Sequence, residues 1–223
     1  MGEFVQLTAA DGHRLQAYKA VPGGTVEGAI VVIQEIFGVN SHIRSVCDGF
    51  AGDGYLAIAP ALFDRTERDI ELGYAADDIA RGRALKGEVG YDEALLDTAA
   101  AIAALGDRHR VGIVGYCWGG SVAYLAACRL DGLSAAVGYY GGQIADFAAE
   151  TPKVPTMLHF GRSDASIPMA AVEKVRAAQP GVECHLYDAG HGFNCDQRGS
   201  YDKTSAAVAR ERTLSHFLQH LRG

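Results

Sequence analysis

Residues 115–120 have the sequence GYCWGG, and they lie between a predicted strand over 110–114 and a predicted helix over 118–130. The pattern Gly-x-Cys-x-Gly at a strand-to-helix turn is that of a nucleophile elbow in which cysteine replaces serine. Glycines on both sides let the strand and the helix pass close together around a strained central residue. The pattern predicts Cys117 as a nucleophile at a helix N-terminus, where free amides and the helix dipole favour a thiolate.

Strands and helices alternate on both sides of this turn. Further buried strands are predicted at residues 29–33, 55–59, 135–140, 154–160 and 182–187, and further helices at 95–105, 169–178 and 203–221. Another helix is predicted to start at Asn40 or Ser41 and to end near Gly52 or Gly54. Short amphipathic segments at 4–8 and 15–19 predict an opening antiparallel hairpin. This alternation predicts an α/β fold, with a mostly parallel central sheet covered by helices on both faces.

The segment from residue 64 to residue 90 is the least regular part of the chain. It carries many charges and little periodicity, and it predicts an irregular excursion with a short helix at 79–85. No internal repeat, low-complexity tract or flexible linker interrupts the sequence. We therefore expect a single domain over residues 1–223.

An elbow of this kind predicts an acid and a histidine later in the chain, each in a loop after a strand. Asp164 and His191 occupy two such loops, and the carboxyl ends of parallel strands meet at one edge of the sheet. His191 would take the thiol proton, and Asp164 would fix the tautomer of its ring. We expect the oxyanion hole to be formed by the backbone N–H groups of Trp118 and of Ile36, in the loop after the strand over 29–33.

Other interpretations of the acidic residues stay open. Asp164 alone is equally typical of a helix cap, and Asp188 or Asp196 could supply the acid in its place. Glu35 is either an exposed loop charge or, if it is buried beside Cys117, a carboxylate that receives or positions the thiol proton.

Composition and charge exclude several classes of protein. The chain has 223 residues, 48% of them hydrophobic, and a formal net charge of −7, so it can bury a core but offers no basic face to nucleic acid. No apolar run approaches the roughly 20 residues of a membrane-spanning helix, and the first residues lack a signal-peptide pattern, so we expect a cytoplasmic protein without a membrane partner. Five widely spaced cysteines predict neither disulfides nor a metal site. We expect a monomer that acts on a small molecule without a cofactor.

Five ordered motifs resemble the dienelactone hydrolase family, the branch of the α/β-hydrolase fold with a cysteine nucleophile. They are QEIFGVN at 34–40, GYCWGG at 115–120, GYYG at 138–141, Asp164 with Ile167 and Pro168, and GHGF at 190–193. The resemblance spans nearly the whole chain and implies Cys117, Asp164 and His191 as a catalytic triad. It also implies that Glu35 contacts the resting thiol and swings, on substrate binding, to deprotonate it. The thiolate would attack a lactone carbonyl, His191 would protonate the leaving enolate, and water would release an open dicarboxylate.

The residues expected to bind substrate depart from the family pattern. Well-known members have an arginine four residues after the histidine, where it binds the substrate carboxylate, and Cys195 occupies that position here. A second family arginine corresponds to Arg81 or Arg83, of which Arg81 is the predicted substrate-binding residue. Aromatic residues next to the predicted catalytic atoms form either a wall of the site or ordinary core; they are Phe37, Trp118, Tyr140 and Phe193.

The sequence therefore predicts a hydrolase that cleaves a small lactone of the dienelactone (carboxymethylenebutenolide) type, or an ester, through an acyl-enzyme at Cys117. A general short-chain carboxylesterase or thioesterase is the nearest alternative. A non-hydrolytic member of the fold is a third, in which Cys117 binds a carbonyl ligand or senses oxidant as a sulfenic acid. The presence of Asp164 and His191 disfavours the third, because a sensor needs neither a general base nor a residue that orients it.

Overall fold

A computed structural model describes residues 2–106 and 108–222, and within them eight strands form one sheet. In chain order they are β1 (Glu3–Thr8), β2 (Arg14–Ala20), β3 (Gly28–Ile33), β4 (Tyr55–Pro60), β5 (Val111–Tyr116), β6 (Leu133–Tyr139), β7 (Thr156–Gly161) and β8 (Glu183–Tyr187). Their order across the sheet is β1-β2-β4-β3-β5-β6-β7-β8. β1 and β2 form an antiparallel pair, β2 is antiparallel to β4, and every neighbouring pair from β4 to β8 is parallel.

Helices cover both faces of this sheet. They are α1 (Ser41–Gly52), α2 (Ala76–Glu88), α3 (Tyr91–Gly106), α4 (Trp118–Arg129), α5 (Met169–Ala178) and α6 (Lys203–Leu221). In β3, Ile30 and Val32 pack into the cluster that contains α1 and α6 residues, whereas Val31 and Ile33 pack into the cluster that contains α3 residues. Because both faces are buried, the strand needs an unbroken apolar run rather than an alternating one. The predicted mostly parallel sheet with helices on both faces is confirmed.

The excursion differs from its prediction. Helix α2 extends over 13 residues rather than the short stretch expected, and α3 begins at Tyr91 instead of residue 95. Only Gly82 and Leu85 of α2 are buried, so this helix lacks the apolar stripe that periodicity detects. The first turn of α2 is stabilised by Asp78, whose carboxylate accepts a hydrogen bond from the Ala75 N–H at 3.1 Å.

The carboxyl ends of the parallel strands place four loops at one edge of the sheet. These loops follow β3, β5, β7 and β8, and they carry Glu35 and Ile36, Cys117, Asp164, and His191 respectively. Among the helices of residues 2–106 and 108–222, none combines the length and the apolar character that crossing a membrane requires.

Candidate active site

Cys117 lies in the sharp turn between β5 and α4. Its backbone has φ 56° and ψ −118°, a conformation that costs an L-residue of order 1–3 kcal/mol. The turn is tight: a Cβ at Gly115 would overlap the carbonyl oxygen of Gly119, and a Cβ at Gly119 would overlap that of Gln34. The strand and the helix can approach this closely only because both positions are glycine, and the thiol projects from the edge of the sheet.

Cys117, His191 and Asp164 form a continuous line of hydrogen bonds. His191 Nε2 lies 3.2 Å from Cys117 Sγ, and His191 Nδ1 lies 2.7 Å from Asp164 Oδ2. The other oxygen of Asp164 accepts the Ser166 N–H at 2.8 Å, so this buried carboxylate stabilises its own turn as well as orienting the ring. The structure thus brings together the three residues that the motif order selected.

The two competing acids lie elsewhere. Asp188 is 94% exposed and pairs with Arg162 at 3.2 Å. Asp196 Oδ1 lies 3.4 Å from His42 Nδ1 and is 68% exposed. The His191 ring is bonded to Asp164 alone among the described carboxylates.

The charge state of His191 is set by its two neighbours. Burial by itself would lower the pKa of the ring, but the hydrogen bonds and charges of Asp164 and Cys117 outweigh burial and raise the pKa of His191 to about 10. The ring therefore carries a proton at neutral pH. An imidazolium in contact with sulfur stabilises a thiolate and holds a proton that it can deliver to a leaving group.

A cavity of about 250 Å³ opens over Cys117 and His191. Ile36 and Trp118 both line it. Trp118 begins α4, so its N–H has no acceptor within the helix. Ile36 belongs to the loop after β3, against which α2 packs so closely that a Cβ at Gly82 would overlap the Ile36 carbonyl oxygen. Both residues predicted to donate to an oxyanion thus face the same space as the thiol.

Glu35 is buried, with 1% of its surface exposed, but it does not bond to the thiol. Its Oε1 accepts from Arg198 Nη1 at 3.1 Å, and the hydrogen-bond partner of Cys117 is His191. The contact expected between Glu35 and the resting thiol is therefore not formed in this structure. The buried carboxylate is held instead by a guanidinium that itself lines the cavity.

Comparison with known proteins places this architecture in a family. The model of the dienelactone hydrolase family matches residues 15–221. The chain belongs to the dienelactone hydrolase family. It is 39% identical to a protein of Synechocystis sp., provisionally named carboxymethylenebutenolidase, over 86% of each chain. It is 32% identical to the carboxymethylenebutenolidase of Pseudomonas putida, over 95% of this chain and 94% of that one.

A solved structure gives the same result. The crystal structure of a provisionally named dienelactone hydrolase from Klebsiella pneumoniae superposes with a TM-score of 0.85 at 32% identity, covering 98% of this chain and all of the other. The chain therefore has the α/β-hydrolase fold of the dienelactone hydrolase family, and it is an enzyme of the hydrolase class.

Basic side chains line one side of the cavity in this family member, and Arg81 is not among them. Arg81 points to the surface and pairs with Glu67 at 2.6 Å. Arg83 lines the cavity instead, together with Lys86 and Arg198. Residues two positions apart on a helix point in very different directions. The prediction that Arg81 lines the site was therefore wrong by about half a helical turn.

Arg198 and Lys86 were not anticipated from the sequence. Arg198 lies three residues beyond Cys195, in the turns that connect His191 to α6. It brings a guanidinium to the cavity, although position 195, where the family pattern has an arginine, is a cysteine. Lys86 donates to Gln143 Oε1 at 3.0 Å, and burial lowers the pKa of its ammonium. The only feature of the sequence that could have indicated Arg198 was its place three residues after position 195, where the family pattern has an arginine.

The aromatic residues divide into wall and core. Phe37 and Trp118 line the cavity, and the guanidinium of Arg198 lies 5.6 Å from the centre of the Phe37 ring. Tyr140 and Phe193 do not line it: both are fully buried, 5.4 Å apart between ring centres. Tyr140 packs against the His191 ring at 5.2 Å, so it supports the histidine from behind rather than contacting a substrate.

Proposed function

We propose that this hydrolase opens small lactones that carry a carboxylate, of the dienelactone (carboxymethylenebutenolide) type, through an acyl-enzyme on Cys117. The observation that carries the proposal is the hydrogen-bonded line from Cys117 through His191 to Asp164, with spacings of 3.2 and 2.7 Å, at the floor of the cavity. A nucleophile, a base and an orienting acid in this order are what acyl transfer requires.

The proposed chemistry has two halves. Glu35, released from Arg198, takes the thiol proton, the sulfur attacks the lactone carbonyl, and the N–H groups of Ile36 and Trp118 stabilise the oxyanion. The ring C–O bond then breaks, and His191 gives its proton to the leaving enolate oxygen. In the second half, His191 takes a proton from water, the resulting hydroxide attacks the thioester, and the C–S bond breaks. Glu35 returns its proton to sulfur, and the product acid loses its proton to solvent.

Size and charge of the cavity favour a small anionic substrate. Its volume of about 250 Å³ is below the range of roughly 300–1,000 Å³ that holds drug-sized ligands. Arg83, Lys86 and Arg198 supply three positive groups along its lining. A substrate carboxylate that binds Arg198 would compete with Glu35 for the guanidinium and free Glu35 to turn toward the thiol.

The test is steady-state hydrolysis of a dienelactone and of a chromogenic short-chain acetate by wild type and by Cys117→Ala. We expect the dienelactone to be preferred by at least about tenfold in kcat/KM, a barrier difference of about 1.4 kcal/mol, and both activities to vanish in the variant. Circular dichroism of the variant controls for folding.

Each of the other results would contradict the proposal. A preference for the acetate would indicate a general esterase, because the basic lining would then contribute nothing to selection. Turnover that survives in Cys117→Ala would show that hydrolysis does not proceed through an acyl-enzyme on Cys117. Absence of turnover on both compounds, with trapping of a sulfenic acid at Cys117 after peroxide treatment, would favour the redox-sensing alternative.

A further inference from the structure

Three potential metal ligands meet next to the active-site cavity. They are Glu35 from the loop after β3, His42 from the first turn of α1, and Cys195 from the segment after His191, and one ligand atom of each lies within 4.8 Å of the other two. All three residues are buried, with exposures of 1%, 4% and 0%. Cys195 Sγ donates to Tyr74 Oη at 3.2 Å, and the His42 ring packs edge-on against the Tyr116 ring.

Two polar atoms of this cluster lack partners. Glu35 Oε2 and His42 Nε2 are buried and have no hydrogen-bond partner among the described residues. Arg198 satisfies only the other oxygen of Glu35. An unsatisfied buried polar atom costs about 1–3 kcal/mol, and native proteins rarely keep one without an ordered water or an ion. Two of them beside a thiol make this cluster a candidate site for an ion or a water.

The orientation of the His42 ring is that of a metal-binding histidine. Its Nδ1 faces Asp196 Oδ1 at 3.4 Å, which leaves Nε2 as the nitrogen that points away from the carboxylate. Histidines that bind metal ions characteristically give their second ring N–H to a carboxylate, which fixes the tautomer and directs the other nitrogen at the ion.

We propose that Glu35, His42 and Cys195 bind one thiophilic divalent transition-metal ion of the Zn²⁺ class. Thiolate, imidazole and carboxylate are the zinc ligand types, and a thiolate with an imidazole disfavours Mg²⁺ and Ca²⁺. Ligand atoms on a tetrahedral zinc lie roughly 3.3–3.8 Å apart, given bonds of about 2.0–2.3 Å. Atoms that are now within 4.8 Å need to move inward by about 1 Å, which side-chain rotation supplies.

The site has a route to solvent. His42 and Asp196 line a second cavity, of about 370 Å³, which also borders Asn194 and Arg210. An ion that enters there meets the exposed carboxylate of Asp196 before it reaches His42. On binding, the Cys195 S–H bond breaks, sulfur bonds to the ion, and the proton leaves to solvent, so affinity should rise with pH.

Occupation would also restrain Glu35. Where the proposed function holds, an ion that ligates Glu35 would keep its carboxylate from turning toward Cys117, and the site would be inhibitory. This consequence rests on the proposed function, whereas the metal site itself does not.

The experiment is a Co²⁺ titration of the Cys117→Ala variant, which removes the other thiol–imidazole pair that could bind an ion. We expect one Co²⁺ per chain, with a sulfur-to-cobalt charge-transfer absorption that is displaced by Zn²⁺. Adding Cys195→Ala should abolish the absorption. Adding Cys128→Ala, which removes a different buried thiol, should leave it intact.

An exposed residue gives a second readout that does not threaten folding. Loss of a carboxylate that orients a ligating histidine costs roughly 10–100-fold in metal affinity, so Asp196→Asn should weaken Zn²⁺ binding by that factor, and Asp188→Asn should not. A Cys117→Ala protein that shows no charge-transfer band, or a band that survives loss of Cys195, overturns the metal site and leaves a bridging water in the cluster. Because binding is measured without Cys117, that outcome is independent of whether the enzyme hydrolyses lactones.

Discussion

The two sides of the active-site cavity are built in different ways. One side consists of the loops that follow parallel strands, and it carries Cys117, His191 and Ile36. The other consists of α2 and the turns before α6, and it carries Arg83, Lys86 and Arg198. The first side is fixed by the sheet, since each residue follows a hydrogen-bonded strand. The second is fixed by helix packing, by side-chain contacts and by the turns around Arg198. Under the proposed function, chemistry and substrate choice are located on separate structural supports.

The largest effect that tests this division is expected from substitution of Asp164. Asp164→Asn should lower kcat by about 10³-fold or more, because an amide favours the wrong tautomer of the His191 ring. If the strand side carries the chemistry alone, the loss should be equal for a dienelactone and for a neutral acetate. Asp188→Asn, which removes an exposed carboxylate near the end of β8, is the matched control and should leave kcat unchanged.

A second test replaces Arg198 with Met. We expect kcat/KM for a carboxylate-bearing lactone to fall by roughly 10–100-fold, since a charge-assisted pair with the substrate is lost. The neutral acetate should lose much less. Arg198→Met leaves Glu35 buried without its partner, so thermal unfolding should be measured alongside, and Glu35→Gln alone gives the effect of losing the carboxylate. Equal losses on both substrates would show that Arg198 acts on the chemistry rather than on selection.

The helix itself offers a closely matched pair. Arg83→Met should raise KM for the anionic lactone by roughly fivefold, about 1 kcal/mol of electrostatic attraction at a partly solvated site. Arg81→Met, two residues earlier on α2, should have no effect, because Arg81 pairs with Glu67 at the surface. If the two variants have the same KM, Arg83 does not contribute to the binding of the anionic substrate.

The last test concerns stability rather than turnover, and it sharpens the account of the strand side through the pH dependence of unfolding. The pKa of His191 is raised to about 10 in the folded protein from an unperturbed 6.5. A raised pKa gives stability that is complete below pH 6.5 and is lost as the pH rises through 10. The loss arises because the neutral ring keeps its Nδ1–H bond to Asp164 but no longer carries a proton on Nε2 to donate to sulfur. Urea unfolding across this interval should show the loss in wild type and not in His191→Gln.

The sequence predicted the strand side nearly residue by residue. Buried strands are recognisable as apolar runs, and the residues after them must meet at one edge of a parallel sheet, so Cys117, Asp164 and His191 could be placed together without a structure. The contact expected between Glu35 and the thiol is not formed because Glu35 pairs with Arg198, which lies in an irregular segment. No periodicity specifies where a side chain from such a segment will end.

The helix side could not be predicted for a related reason. Helix α2 buries little apolar surface, so its register relative to the cavity leaves no trace in the hydrophobic pattern, and Arg81 was chosen where Arg83 lines the site. The cluster of Glu35, His42 and Cys195 was also invisible. Its members come from three distant segments and do not have the sequence spacing of a known metal-binding motif. Only the fold brings them together.

The left-handed backbone at Cys117 has an evolutionary consequence. Its cost, of order 1–3 kcal/mol, belongs to the position and not to sulfur, since any residue with a Cβ would bear it. A different nucleophile could therefore replace cysteine without rebuilding the turn. Glycine alone would relieve the cost, and glycine has no reactive group. Selection for stability would favour glycine at position 117, whereas selection for a nucleophile would favour a side chain, so the two would oppose each other at a single codon.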